Sequence, residues 1–192
     1  MPRRTPVPIG SPAADLAGRL SAAVRTVADF PRPGVAFRDI TPLLSDPAAF
    51  ADSVDAIARA HADQRVDVVA GVESRGFIMA APVAYLLGAG FVPIRKAGRL
   101  PSATMSVDYA LEYGTAVLEV HTDAIRSGQR VLIVDDLLAT GGTAAAAIQL
   151  VETLGGVVTG VAFLIELAEL GGAAALGGRP HTSLVILGPE KT

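Results

Sequence analysis

Residues 131–147 read VLIVDDLLATGGTAAAA. Val131 to Val134 form an unbroken apolar run, the pattern of a strand buried on both faces of a parallel sheet. Asp135 and Asp136 fall where that strand is expected to end. A short loop closing in Thr140-Gly141-Gly142-Thr143 follows, and an alanine-rich helix begins. The glycines allow backbone to approach a phosphate, while the helix start offers unpaired N–H groups and a partial positive charge. Two carboxylates suit ribose hydroxyls or a magnesium ion better than phosphate itself. An acidic turn alone would be ordinary, since Asp is common there. Joined to ATGGT, it describes a cradle for a sugar phosphate.

Strands and helices alternate on both sides of this stretch. Ser11-Pro12 supplies a cap and first helical position for a helix carrying Leu16, Leu20, Val24 and Val27 at helical spacing. Pro31, Pro33 and Gly34 stop it and open an irregular segment. A second helix starts near Ser45-Asp46-Pro47 and buries Phe50, Val54 and Ile57. Strand 66–71, helix 76–87 and strand 90–94 come next, then a loop over 96–106 and a hairpin pairing 107–111 with 116–121. After the opening motif come strand 157–165, a Gly/Ala-rich helix near 171–176 and a strand at 183–187. The alternation predicts an α/β fold with a mostly parallel central sheet flanked by helices. Ligands of such sheets bind beyond the carboxyl ends of the strands. Residues 73–76, 96–106 and 135–143 all follow strand ends, so one cleft is expected to collect them.

Composition narrows the function classes. The chain has 192 residues, 51% hydrophobic and 18% charged, enough for one substantial core. Residues 1–12 contain four prolines and read as a flexible extension, leaving 13–192 as a single domain. Gly, Pro or charges interrupt every apolar run before the roughly 20 residues of a membrane helix, and the N-terminus lacks a secretory apolar core. Neither a membrane nor a nucleic-acid partner is expected: the net charge is −3. Cysteine is absent, excluding thiol catalysis, and the histidines His61, His121 and His181 show no metal-ligand spacing. A cytoplasmic location is expected.

Other residues carry candidate chemistry. Glu73-Ser74-Arg75-Gly76 follows a strand, where Arg75 and local N–H groups suit a second phosphate or a pyrophosphate. Arg95, Lys96 and Arg99 gather positive charge before a glycine-containing loop whose closure over an anion would strengthen each contact. Glu112-Tyr113-Gly114 lies at the hairpin turn, where Glu is ordinarily structural but could serve as a general acid–base beside a heterocycle. Phe37-Arg38 pairs a ring able to stack on a base with an Arg able to bind its edge, although Phe37 fits a core equally well. His61 reads as a partly exposed helix residue.

VLIVDDLLATGGT resembles the 5-phosphoribosyl-1-pyrophosphate signature of the type I phosphoribosyltransferases. FPRPGVAFRDITPLL, GVESRGFIMAAPVA, GFVPIRKAGRLPSATMSVDYALEYG and FLIEL resemble the adenine phosphoribosyltransferases in order and spacing, from about Leu16 to Leu187. The resemblance implies the type I fold, with an N-terminal hood segment and a mobile loop. It implies a purine-salvage transferase that joins adenine N9 to the anomeric carbon, giving AMP and pyrophosphate, with Mg²⁺ bridging pyrophosphate and ribose rather than held by the protein directly. By the same resemblance Asp135 and Asp136 hold the ribose hydroxyls, and Ala139, Thr140, Gly141, Gly142 and Thr143 cradle the 5′-phosphate. Ser74, Arg75 and Lys96 face pyrophosphate, and the Glu73–Ser74 peptide bond is cis. Ala36, Phe37, Arg38 and Leu167 meet adenine, Glu112 assists proton movement at the base, and the family usually forms homodimers.

Departures from neighbouring families bear on base choice. The 6-oxopurine enzymes carry an Asp where this chain has Ala139, and a Lys in the next strand, where 157–166 has none. A Lys donor suits a 6-oxo acceptor, whereas the adenine amino group is itself a donor. Xanthine phosphoribosyltransferases lack the ATGGT loop and the LEYG turn, which leaves the same chemistry on xanthine or another purine as one alternative. A non-catalytic nucleotide-sensing regulator of the same fold is another.

Overall fold

The computed structural model describes residues 13–111 and 114–188. The chain divides into two compact units, Met1–Phe50 and Ala51–Thr192. In the first, α1 (Ala13–Ala22) carries an Asp15–Arg19 ion pair one turn apart, at 3.5 Å. The helix ends earlier than its apolar spacing predicts. Val24 lies beyond it, and Val27 belongs to β1 (Arg25–Val27), paired antiparallel with β2 (Phe37–Asp39). The β-branched pair Thr26-Val27 gains more from this ladder than from another helical turn.

Arg25 and Asp39 face each other in the β1–β2 register. Arg25 Nε donates to Asp39 Oδ2 at 3.0 Å, and the Thr41 N–H donates to Asp39 Oδ1 at 2.9 Å. The Thr41 hydroxyl adds a third bond at 2.9 Å. Thr41–Ser45 forms a short helix, α2, in a segment the sequence predicted as irregular. Asp46 then caps α3 (Pro47–Ala60), its Oδ1 accepting the N–H groups of Ala48 and Ala49 at 2.8 and 3.1 Å. Val54 and Ile57 are buried as expected, whereas Phe50 is only half-buried.

The second unit is built on a seven-stranded sheet. Its strands are β3 (Val68–Val72), β4 (Gly90–Lys96), β5 (Thr104–Leu111), β6 (Gly114–His121), β7 (Arg130–Leu138), β8 (Val157–Leu167) and β9 (His181–Leu187). Their spatial order is β5-β6-β4-β3-β7-β8-β9. The neighbours β4–β3–β7–β8–β9 run parallel, and the β5–β6 hairpin adds antiparallel to β4. The expected mostly parallel α/β sheet is therefore present. The central strands are buried on both faces, which explains why β3 and β7 read as continuous apolar runs.

Two helices flank the sheet. α4 (Arg75–Leu87) packs against β3 and β7, and a Cβ on Gly71 would stand 2.7 Å from Ala80 Cβ, so the glycine lets helix and strand approach. α5 (Gly142–Thr153) contributes Ala144, Ala147, Ile148 and Val151 to a core shared with Ala70, Ile133, Val161 and Phe163 of the strands. The helix expected near 171–176 is a pair of 3₁₀ turns, Ala168–Leu170 and Gly172–Leu176, because glycines interrupt it. His61 is buried rather than partly exposed, with Nδ1 2.9 Å from Gln64 Oε1. Among the described residues no helix is long and apolar enough to cross a membrane.

Hydrogen bonds from Thr41 and Arg25 hold the Asp39 carboxyl at about 2, below its ordinary 3.8. A group lowered on folding stabilises the fold above its unfolded value and stops doing so as the pH falls through the folded one. Asp39→Asn should therefore be less stable than wild type at neutral pH. Urea denaturation across a pH series should show that deficit narrowing between about pH 4 and about pH 2.

Candidate active site

Three chain segments meet beyond the carboxyl ends of β3, β4 and β7. They line a cleft of about 300 Å³ that includes Glu73, Ser74, Arg75, Lys96, Asp135, Asp136, Ala139 and Thr143. This is the strand-end position at which open α/β sheets bind ligands. β7 extends through Asp135 and Asp136 to Leu138, so the acidic pair lies within the strand rather than at its end. Continued pairing explains the difference: Asp135 sits opposite Phe163, and Leu137 opposite Ile165, in the β8 register.

The two carboxylates are buried, at 8% and 6% exposure. Burial pushes the Asp135 carboxyl well above the usual range, and the neighbouring Asp136 charge pushes it further. Asp136 is also raised by burial, against the opposing pull of Arg75. Arg75 Nε stands 2.9 Å from Asp136 Oδ2, a charge contact whose angle makes no hydrogen bond, because Oδ2 lacks a hydrogen-bond partner. The Asp136 N–H donates to Asp135 Oδ1 at 2.8 Å. Asp136 Oδ2 is buried against Arg75, and the two residues line the cleft as a pair, a position that suits vicinal hydroxyls or water bound to a cation.

Glycines allow the neighbouring turns to come this close. A Cβ on Gly76 would lie 2.7 Å from Asp135 Oδ1 and 3.1 Å from the Val134 carbonyl. Only a glycine lets the first turn of α4 sit against β7 and bring Arg75 to Asp136. Gly141 caps α5 with φ +83°, in the left-handed region. A Cβ there would run into the Gly172 carbonyl and lie 2.7 Å from Ala175 Cβ, and one on Gly172 would strike the Ala139 carbonyl. The 172–176 turn therefore buttresses the 139–141 backbone. Ala139 and Thr143 line the cleft, with Thr140, Gly141 and Gly142 forming the turn between them and α5 starting there. The anion-receptive helix start is thus in place.

The expected residues fall into four groups. Ser74, Arg75, Lys96, Asp135, Asp136, Ala139 and Thr143 share the cleft, and the Glu73–Ser74 peptide bond is cis. Ala36, Phe37 and Arg38 belong to the first unit. There Phe37 meets Phe30 edge to face at 5.1 Å, and Arg38 donates to the Thr26 hydroxyl. Leu167 ends β8 in the second unit, buried. Glu112 and Tyr113 lie outside the described residues.

Sequence reasoning missed Tyr109 and Leu118, which line the cleft from the β5–β6 hairpin. Strand alternation with Val107 and with Val120 was the available signal. It also missed Glu119, a buried carboxylate that accepts the N–H groups of Arg99 and Leu100 at 2.8 and 2.9 Å. Burial opposes its charge, yet these backbone donors win and hold it below the ordinary range.

A parallel sheet whose strand ends gather two buried carboxylates, two cations and a helix start defines an α/β enzyme built for an anionic, hydroxyl-bearing substrate. Residues 40–173 match the family described as the phosphoribosyl transferase domain. The chain is 57% identical over 174 residues to the adenine phosphoribosyltransferase of Acidothermus cellulolyticus, covering 91% of this chain and 98% of that one. The crystal structure of adenine phosphoribosyltransferase from Thermoanaerobacter pseudethanolicus superposes with a TM-score of 0.87 at 49% identity, covering 89% of this chain and 99% of the other. That of the Saccharomyces cerevisiae enzyme, complexed with an imino-altritol bisphosphate and adenine, gives 0.84 at 39% identity, with 89% and 99% covered. The chain belongs to the phosphoribosyl transferase family, among the adenine phosphoribosyltransferases.

Gly76→Ala should cost about 1–3 kcal/mol of stability, because the inserted methyl meets backbone and a carboxylate rather than a yielding side chain. Chemical denaturation of the variant measures this. A loss below about 0.5 kcal/mol would mean that α4 is free to shift away from β7.

Proposed function

We propose that this protein transfers the phosphoribosyl group of 5-phosphoribosyl-1-pyrophosphate to adenine, forming AMP and pyrophosphate in purine salvage. The carrying observation is the single cleft joining the buried Asp135–Asp136 pair to Arg75, Lys96 and the start of α5. It offers hydroxyl acceptors, cations and N–H donors to one substrate that bears hydroxyls, a phosphate and a pyrophosphate. The names of the relatives support adenine as the acceptor.

In this reading Asp135 and Asp136 accept the ribose hydroxyls and fix the anomeric carbon. Ala139 to Thr143 wrap the 5′-phosphate with backbone N–H groups, the Thr hydroxyls adding donors. Ser74, Arg75 and Lys96 bind the pyrophosphate. As its bond to the anomeric carbon breaks, negative charge grows on the leaving group and positive charge on the ribose. Cations held in a partly dry cleft stabilise the departing charge more strongly than water would. Adenine N9 then bonds to that carbon, and the base loses a proton. Ala36, Phe37, Arg38 and Leu167 hold the adenine, and Glu112 handles that proton. Residues 13–192 act as one phosphoribosyltransferase domain, with 1–12 as an extension.

Mg²⁺ fits this chemistry. Among the described residues there is no group of three or more His, Cys, Asp or Glu able to cage a metal. Asp135 and Asp136, both raised by burial and lining the cleft, would favour a cation held beside them by pyrophosphate and ribose. Bound there, the ion would neutralise pyrophosphate charge. A cysteine-free chain acting on multiply charged phosphates, which do not cross a bilayer unaided, suits the cytoplasm.

A homodimer is supported by the exposed apolar side chains Ile78, Tyr85 and Leu86 on α4 and Phe91 on β4. Sedimentation equilibrium should give twice the 19.6 kDa chain mass. Tyr85→Asp should shift that value toward the monomer.

Purified protein given the phosphoribosyl donor, Mg²⁺ and adenine should release AMP. Xanthine, hypoxanthine and guanine should be turned over at least about 100-fold less efficiently, the discrimination expected when a site's polar groups are left unpaired. Absence of AMP, or faster turnover of xanthine, overturns the assignment. Glu112→Gln should lower kcat about 100-fold or more while leaving donor affinity intact. Full turnover in that variant would remove Glu112 from the proton step.

A further inference from the structure

Arg95 stands beside Lys96 in a run of basic residues, which suggests an anion ligand; the loop expected over 96–106 covers only 97–103, because β4 runs through Lys96 and β5 starts at Thr104. The contacts of Arg95 commit it elsewhere. Arg95 Nε donates to Glu73 Oε2 at 2.9 Å, and another guanidinium nitrogen donates to the Arg99 carbonyl at 3.1 Å. Across the ladder, Arg95 is paired directly with Glu119 of β6. Glu119 accepts the Arg99 N–H and the Leu100 N–H on one oxygen. Both polar backbone groups of Arg99 are thus captured, the N–H by Glu119 and the carbonyl by Arg95.

The other end of the guanidinium reaches the β3 loop. Glu73 directly precedes Ser74 and Arg75, and its own N–H donates to the Ile94 carbonyl at 2.9 Å. A carboxylate beside a pyrophosphate site would repel the ligand unless a cation neutralised it. Arg95 supplies that cation, and Glu73 is largely shielded from solvent, with 14% of its side chain exposed.

We propose that Arg95, braced by Glu119, is a positioning residue that straps the base of the 97–103 loop to Glu73, holding Lys96 and Ser74–Arg75 in one register for pyrophosphate. The strap rests on the assignment of those residues to pyrophosphate given above. Arg95 acts through Glu73 and the Arg99 peptide and does not touch the ligand. Arginine is required because one planar fork serves two acceptors in different segments, which a lysine ammonium on a flexible stem does not hold in place.

A double-mutant cycle on the full chain tests this. The KM for pyrophosphate is measured in the reverse reaction, and pyrophosphate affinity by calorimetry in the presence of Mg²⁺. Arg95→Lys and Glu73→Gln should each raise KM and Kd about tenfold, and the double variant should also be about tenfold worse rather than about 100-fold. kcat and the adenine KM should stay within about twofold, a split that a general loss of folding would not produce. Glu119→Leu, which removes the oxygen that accepts both N–H groups, should reproduce the pyrophosphate defect. If Arg95 instead binds pyrophosphate, Glu73→Gln leaves affinity unchanged or improved; if the two side chains act independently, their losses multiply to about 100-fold; either result overturns the strap. Wild-type turnover separates the two readings: an active enzyme with either result overturns the strap alone. A wild type that neither forms AMP nor binds pyrophosphate overturns the assignment beneath it.

Discussion

The site depends on keeping two adjacent carboxylates in a buried strand. Each buried charge costs several kcal/mol unless it is paired or hydrogen-bonded, and Asp135 and Asp136 also repel one another. Arg75 offsets part of this from 2.9 Å, and the Asp136 N–H offsets another part. Arg75 arrives only because Gly76 allows the first turn of α4 to sit against β7. What remains uncompensated is an appetite for hydroxyls and cations, which is the property a ribose-binding site needs.

A parallel sheet makes this compact. Strand ends that lie side by side bring together loops distant in sequence, so 73–76, 96 and 135–143 become neighbours without long excursions. The antiparallel hairpin does something the parallel strands cannot. By pairing with β4 it places Glu119 beside the base of the 97–103 loop, and that carboxylate ties down backbone that would otherwise be hydrated. The small-residue turn 172–176 plays the same part behind Ala139 and Gly141. The loops that line the cleft are thus held largely from behind.

Much of this was legible in the chain. The apolar runs of β3 and β7, Asp46 as a cap and the ATGGT turn each follow from local chemistry, and the structure agrees with them. Three of the errors share one cause. Val27 sits in a strand and not a helix, β7 runs three residues past Asp135, and His61 is buried. In each case a partner distant in sequence, whether a strand ladder or a packed wall, overrode the local pattern. Arg95 is the clearest example: three basic residues within a stretch of five predict an anion, and only the fold shows one of them already paired.

The sequence by itself determined the class of fold, the segments that carry chemistry and the kind of ligand they suit, because periodicity, glycine placement and charge act over a few residues. Adjacent carboxylates and a glycine turn announce a sugar phosphate wherever they lie. Only the tertiary structure decided which charges face the cleft and which neutralise one another, because Glu73, Arg95, Arg99 and Glu119 meet through strand register and not through spacing along the chain.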